Sequence, residues 1–212
     1  MRYKCIIFDC DGVLVDSEHL TTKVLVQMAA ELGVHLSFEF ATAQFLGRSF
    51  NDIMADLGKR CNGELPSDFE VEYRKRTFKA FDLELRPIPG IHTVLRQLQV
   101  PYCVASSGPI EKIERNLETV RLAHHFQGKM FSCYEMGKWK PEPDIFLHAA
   151  KVMGFAPEDC AVVEDSPLGV QAAVKGGFDV FHFLPGAGNK QKDLENGVVV
   201  FTEMQELVNL IR

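Results

Sequence analysis

From Gly90 onward the hydrophobic period of the chain switches back and forth, and few folds accommodate that rhythm. IHTVLRQLQ carries apolar residues at three- and four-residue spacing, PYCVAS is a short apolar run, PIEKIERNLETV returns to helical spacing and KMFSC is again strand-like. The alternation continues through PDIFLHAAKVMG, CAVVED, SPLGVQAAVKGG, DVFHFL and GVVVF and ends in a helical tail. Short apolar runs separated by amphipathic helices predict strands joined by crossovers. Such strands lie parallel, and their helices cover both faces of the sheet.

One predicted strand stands apart from this series. Residues 4–9 (KCIIFD) are strand-like, yet from about residue 18 to 85 the pattern is helical without interruption. HLTTKVLVQMAAELG, FEFATAQFLG, SFNDIMADLGKRC and DFEVEYRKRTFKAF all follow the helical period, and Pro87, Pro89 and Gly90 then punctuate the chain. The block therefore reads as an insertion between the first strand and the others. The expected fold class is α/β: a Rossmann-like parallel sheet core covered by helices on both faces, with an inserted α-helical cap domain. The core is expected over 1–15 and 87–212 and the cap over 16–86.

Composition narrows the functional classes. The formal net charge of −6 offers no basic footprint for a nucleic acid. No run of about 18 apolar residues is present, so no membrane span is expected. The N-terminus enters the first strand without the apolar stretch of a signal peptide, and a cytoplasmic monomer is the simplest expectation. The six cysteines, Cys5, Cys10, Cys61, Cys103, Cys133 and Cys160, show neither a CxxC pair nor zinc-ligand spacing. They read as reduced thiols, with Cys10, between two aspartates, the one open to oxidants.

The chemistry collects where strands stop. Ligands of parallel α/β sheets bind outside the carboxyl ends of the strands. The first strand ends at Asp9 and Asp11, the second at Ser106-Ser107-Gly108, and the fourth at Glu164-Asp165-Ser166. If these strands are neighbours, several carboxylates share one crevice, and they repel one another unless a cation sits among them. Hard oxygen donors favour Mg²⁺, which commonly works with a substrate phosphate. Lys140 in GKWKPEPDIF is the candidate partner for that phosphate. Pro141 disfavours an α conformation at Lys140, and Pro143 suits the start of the next helix, a place suited to anions.

DCDGVLVDSE, VASSG, KWKPEPD and VVEDSPLGV, in that order, resemble the motifs of the haloacid dehalogenase superfamily of phosphohydrolases. Within it they are similar to the branch with a helical cap after the first strand, the β-phosphoglucomutase and sugar-phosphate phosphatase group. The whole-sequence pattern, especially KWKPEP and the short loops, resembles that of bacterial 6-phosphogluconate phosphatases. The resemblance implies that Asp9 is a nucleophile forming an aspartyl-phosphate and that Asp11 serves as acid and then base. It implies Mg²⁺ held by Asp9, the backbone carbonyl of Asp11 and Asp165, with Glu164 acting through water or from behind a ligand. Ser106 and Lys140 would bind the phosphoryl oxygens, with Ser107 beside them, although Ser107 is also the better candidate to cap the following helix. The partner would be a small phosphorylated metabolite.

The weaker signals concern specificity. Arg48 in FLGRSFNDI could reach a second anion on the substrate, or could be an exposed arginine at a helix start. Lys75 and Arg76 read more simply as a solvated helix face. GAG at 186–188 lacks a third glycine and reads as a loop, and His124-His125 read as surface residues. Mutases of the resembled group carry a histidine ten residues after the second aspartate. The matching position here is Thr21, and His19 lies about 200° away on a helix, so it does not substitute. Phe50 stands where those mutases place a phosphate-gripping arginine. A phosphatase for acidic or polyhydroxy sugar phosphates is therefore expected. A phosphosugar mutase and a non-catalytic module of the same fold are the alternatives.

Overall fold

The computed structural model describes residues 2–45, 50–61, 65–186 and 197–212. The chain divides into two compact units, one of Met1–Val15 with Arg86–Arg212 and the other of Asp16–Leu85. In the first unit the strands are β1 (Cys5–Phe8), β2 (Tyr102–Ser106), β3 (Met130–Ser132), β4 (Cys160–Glu164), β5 (Asp179–Phe183) and β6 (Val198–Phe201). They form one sheet in the order β3-β2-β1-β4-β5-β6, and every pairing is parallel.

The central strands are apolar on both sides because both faces are covered. All four residues of β1 and all five of β4 are buried. Cys5 and Ile7 join Cys103, Ala105, Cys160 and Val162 in one core cluster. Two helices pack on that layer, α8 (Asp144–Met153), with Ile145, Phe146, Ala149 and Ala150, and α9 (Pro167–Lys175), with Ala172 and Ala173, and Phe131, Cys133, Phe178 and Val180 complete the cluster. Ile6 and Phe8, pointing to the opposite face by the two-residue period of a strand, are fully buried as well. In register, Phe8 lies beside Val104 of β2 and Val163 of β4, so β1 ends between its two neighbours' ends.

The other α-helices of this unit among the described residues are α5 (Ile91–Gln97), α6 (Ile110–Thr119), α7 (Cys133–Met136) and α10 (Leu207–Leu210). The run KMFSC is strand only to Ser132. The hydroxyl of Ser132 accepts from Tyr134 N at 3.1 Å and caps a short turn of helix at Cys133 instead.

The second unit is helical: α1 (Glu18–Glu31), α2 (Phe38–Phe45), α3 (Phe50–Arg60) and α4 (Phe69–Glu84). Val24, Leu25, Met28 and Ala29 of α1 pack with Ala41, Phe45, Leu57 and Phe69. The outer face of α4 carries ion pairs: Arg74 with Glu70, and Arg76 with both Glu72 and Glu31. Lys75 pairs with Glu72 at 3.5 Å, so Lys75 and Arg76 belong to a charged helix face. No helix among the described residues is long and apolar enough to cross a membrane.

Phe146 ties α8 to the sheet. Its ring is fully buried and meets Phe178 edge-on, with centroids 6.2 Å apart. Phe146→Ala is expected to lose about 3–5 kcal/mol of stability through lost apolar burial and the cavity left behind, and Phe146→Leu distinctly less. Urea unfolding midpoints at constant m-value check this; a loss for the alanine variant below about 1 kcal/mol would mean the site collapses without leaving a void.

Candidate active site

The site begins where β1 runs out. Asp9 N still donates to Val163 O at 2.9 Å, so Asp9 is held in the ladder by its backbone while its side chain leaves the sheet. The chain then turns: Leu14 N and Val15 N both donate to Cys10 O, and Gly12 N donates to Val15 O. Gly12 has φ +76°, and a Cβ built on it would lie 2.0 Å from Asp165 Oδ2. Glycine is required twice over, by the left-handed backbone and by the approach of the loop that follows β4.

That loop delivers Glu164 and Asp165. Glu164 is fully buried, and both of its oxygens are engaged. Oε1 accepts from Lys140 Nζ at 2.6 Å, and Oε2 accepts from Ser166 N at 2.7 Å and Ser166 Oγ at 3.0 Å. Ser166 Oγ in turn accepts from Gly169 N and caps α9, with Pro167 in the first turn. A Cβ on Gly169 would lie 1.7 Å from Glu164 Oε1, so the helix surface is hollowed at that point to seat the carboxylate.

Lys140 joins the two strand ends. Its ammonium lies 2.5 Å from Asp9 Oδ1 as well as against Glu164, and 4.9 Å from the centre of the Phe146 ring. The Lys140, Asp9 and Glu164 side chains are 5%, 9% and 1% exposed, so water screens this cluster little. Lys140 is followed by a cis peptide to Pro141, and α8 begins after Pro143. Burial by itself would lower the Lys140 amine, but Asp9 and Glu164 outweigh it and hold the group charged. Burial raises the Asp9 carboxyl; Lys140 opposes that shift, and Glu164 and Asp11 reinforce it.

Asp9, Glu164 and Asp165 each present a carboxylate oxygen within 4.8 Å of the others. One ammonium cannot neutralise three carboxylates, and the donors are all hard oxygens. The residues present therefore fit a divalent cation of the Mg²⁺ type. Asp165 is steadied from behind, since its backbone carbonyl lies 3.0 Å from His182 Nε2 on β5.

Ser106 is buried at the end of β2, and its hydroxyl accepts from Gly108 N at 3.1 Å. Ser132 Oγ donates to Gly108 O at 2.7 Å and ties the same loop to β3. Ser107 does not cap α6. The cap residue is Pro109, which offers no side-chain acceptor, and the Ser107 hydroxyl lies 4.0 Å from the Cys133 thiol. Cys10 is not open to oxidants: it is buried, and burial together with Asp11 and Asp9 pushes its thiol well up. Arg48 lies outside the described residues, as do positions 187 and 188. Thr21 donates its hydroxyl to Glu18 O, and the Phe50 ring stacks on Tyr73 with centroids 5.3 Å apart.

Sequence reasoning missed Lys112. Its ammonium lies 2.7 Å from Asp11 Oδ2, and the two side chains are 23% and 28% exposed. Burial lowers the Lys112 amine, but Asp11 more than compensates and the net shift is upward. A signal was present in PIEKIERNLETV. A lysine in the first turn of a helix faces the positive end of the dipole, which disfavours a cation unless an anion answers it.

The hollow under Glu164 generates an expectation. Alanine for a helical glycine ordinarily stabilises by about 0.5–1 kcal/mol. At position 169 the methyl would strike Glu164, so Gly169→Ala is expected to lower both the melting temperature and turnover. An alanine variant with a higher melting temperature and unchanged turnover would mean that Glu164 can move without consequence.

Comparison with known proteins agrees with this geometry. Residues 3–177 match the haloacid dehalogenase-like hydrolase family. The chain is 35% identical over 211 residues to the 6-phosphogluconate phosphatase of Escherichia coli K12, covering 99% of this chain and 95% of that one. A conserved haloacid dehalogenase-like protein from Agrobacterium tumefaciens superposes with a TM-score of 0.87 at 29% identity, covering 99% and 97% of the two chains. A haloacid dehalogenase family hydrolase from Deinococcus radiodurans, solved with bound phosphate and sodium, gives 0.81 at 28% identity, covering 97% of this chain and 93% of that chain. With three of its motifs at the ends of the neighbouring strands β2, β1 and β4 and Lys140 of the remaining one reaching Asp9 and Glu164, the chain belongs to the haloacid dehalogenase-like hydrolase family.

Proposed function

We propose that this hydrolase is a Mg²⁺-dependent phosphatase that hydrolyses small phosphomonoesters, acidic or polyhydroxy sugar phosphates such as 6-phosphogluconate, through a phosphorylated Asp9. The observation that carries the reading is the Lys140 ammonium bridging Asp9 and Glu164, with Asp165 beside them. The full-length similarity to an E. coli 6-phosphogluconate phosphatase supports the substrate class.

In this reading Lys140 and Ser106 bind and orient the phosphoryl oxygens, and Asp9 attacks phosphorus as the bond to the leaving oxygen breaks. Protonated Asp11 gives its proton to that oxygen. Water then adds to phosphorus as the O–P bond of the Asp9 acyl phosphate breaks, and one proton of that water returns to Asp11. Asp9, the Asp11 backbone carbonyl and Asp165 would hold the cation. Glu164, with both oxygens already engaged, aims Lys140 and shapes the site from behind. When bound, the cation would offset the surplus carboxylate charge and polarise the phosphoryl group. Most of the catalysis is positioning and electrostatics, as phosphoryl transfer requires.

Three measurements test the reading. Asp9→Asn is nearly isosteric but a poor nucleophile, and hydrolysis of p-nitrophenyl phosphate should fall to background while the fold persists. Asp11→Asn should slow turnover about 10²–10⁴-fold and leave phosphoenzyme detectable by mass after acid quench. EDTA should abolish activity and Mg²⁺ restore it, with Asp165→Ala raising the Mg²⁺ requirement. Turnover near wild type in Asp9→Asn would sink the nucleophile assignment. Separately, glucose 6-phosphate accumulating faster than inorganic phosphate from β-glucose 1-phosphate and a trace of the 1,6-bisphosphate would favour a mutase instead.

A further inference from the structure

We infer that Lys112 is a positioning residue for the acid/base step: it holds Asp11 in the direction from which the carboxyl group reaches the leaving oxygen. The inference rests on the assignment of Asp11 to that step. Asp11 lies on the turn after β1, and its side-chain direction is set by what the carboxyl group meets across the fold rather than by that turn alone. The ion pair from Lys112 engages Oδ2 at 2.7 Å and bridges 101 residues of sequence. That contact restrains the carboxyl group from the side of α6.

The lysine is itself well supported. Ile113 and Leu117 are buried on the inner face of α6, so the helix cannot roll about its axis without breaking the core. The lysine stem passes close to the loop after β2, since a Cβ built on Gly108 would lie 3.3 Å from Lys112 Cδ and 3.6 Å from Ser106 Oγ. That loop is pinned by Ser132 through Gly108 O. Lys112 therefore couples the end of β2, where Ser106 sits, to the turn that carries Asp11. Its place in the first turn of α6 runs against the helix dipole, and this fits a residue kept for its reach rather than for helix stability.

The experiment compares two leaving groups. p-Nitrophenolate departs without a proton, whereas a sugar alkoxide needs one. Lys112→Met keeps the length of the stem and loses the cation; Lys112→Arg keeps the cation. For Lys112→Met we expect kcat/KM on 6-phosphogluconate to fall about 10- to 100-fold, the order expected from misdirecting a catalytic group. The p-nitrophenol burst, which reports attack by Asp9, should change less than about threefold. Inhibition by inorganic phosphate should be unchanged, and Lys112→Arg should recover most of the alkyl-ester activity. Equal losses on both substrates, a weakened phosphate inhibition constant or full activity in Lys112→Met each overturn the assignment, pointing to a scaffold, phosphate-binding or idle role. If Asp11→Asn turns over both substrates like wild type, the acid/base reading fails, and this inference with it. Equal losses confined to Lys112→Met leave that reading intact.

Discussion

An ammonium shared between two buried carboxylates organises the carboxyl end of the central strands. Lys140 approaches from the segment leading into α8, Asp9 from the end of β1 and Glu164 from the end of β4. Taken singly, each of these charges would be costly to bury. Together they are tolerated because every partner is met: Glu164 by Lys140 and Ser166, and Asp9 by Lys140. Removing Lys140 would leave two buried carboxylates without their shared cation, which costs far more than the net worth of either pair. The cluster therefore enforces its own geometry. The carboxylate charge in excess of one lysine makes this set of hard oxygens one that fits a divalent cation.

Such a cluster needs backbones that approach more closely than side chains normally allow. Gly12 and Gly169 provide this at two neighbouring carboxylates. At Gly12 the turn after β1 passes against the Asp165 carboxylate, and at Gly169 the surface of α9 receives Glu164. The same economy governs the serines. Ser106, Ser132 and Ser166 each spend a hydroxyl on a local backbone group and thereby lock the loops at three strand ends. Rigidity here is built from short hydrogen bonds at the rim, while the apolar strands beneath supply a foundation buried on both faces.

Much of this was legible in the chain because the code involved is local. Periodicity separated the short apolar runs from the amphipathic helices, and the single early strand followed by a long helical block marked the insertion. The polar residues at the strand ends, Asp9, Asp11, Ser106, Glu164 and Asp165, could be read because a parallel α/β sheet places its chemistry there. Reading failed where a role depended on a neighbour. Ser107 looked like a helix cap, but whether a hydroxyl caps depends on the turn before the helix, and here Pro109 occupies the cap. Cys10 looked reactive between two aspartates, yet burial and those same aspartates keep its thiol protonated.

By itself, then, the sequence determined the class of fold, the order of the elements and the identities of the polar groups at their ends. The tertiary structure alone decided which strands are neighbours, and so which ends share a crevice. It also decided that Lys140 serves two carboxylates, that Lys112 answers Asp11, and that Gly169 must be glycine. The reason is physical. Propensity, period and capping act over a few residues, whereas the order β3-β2-β1-β4-β5-β6 and an ion pair across 101 residues arise only when crossovers pack. A charge on a helix becomes part of a site through the group that it meets across that packed interface.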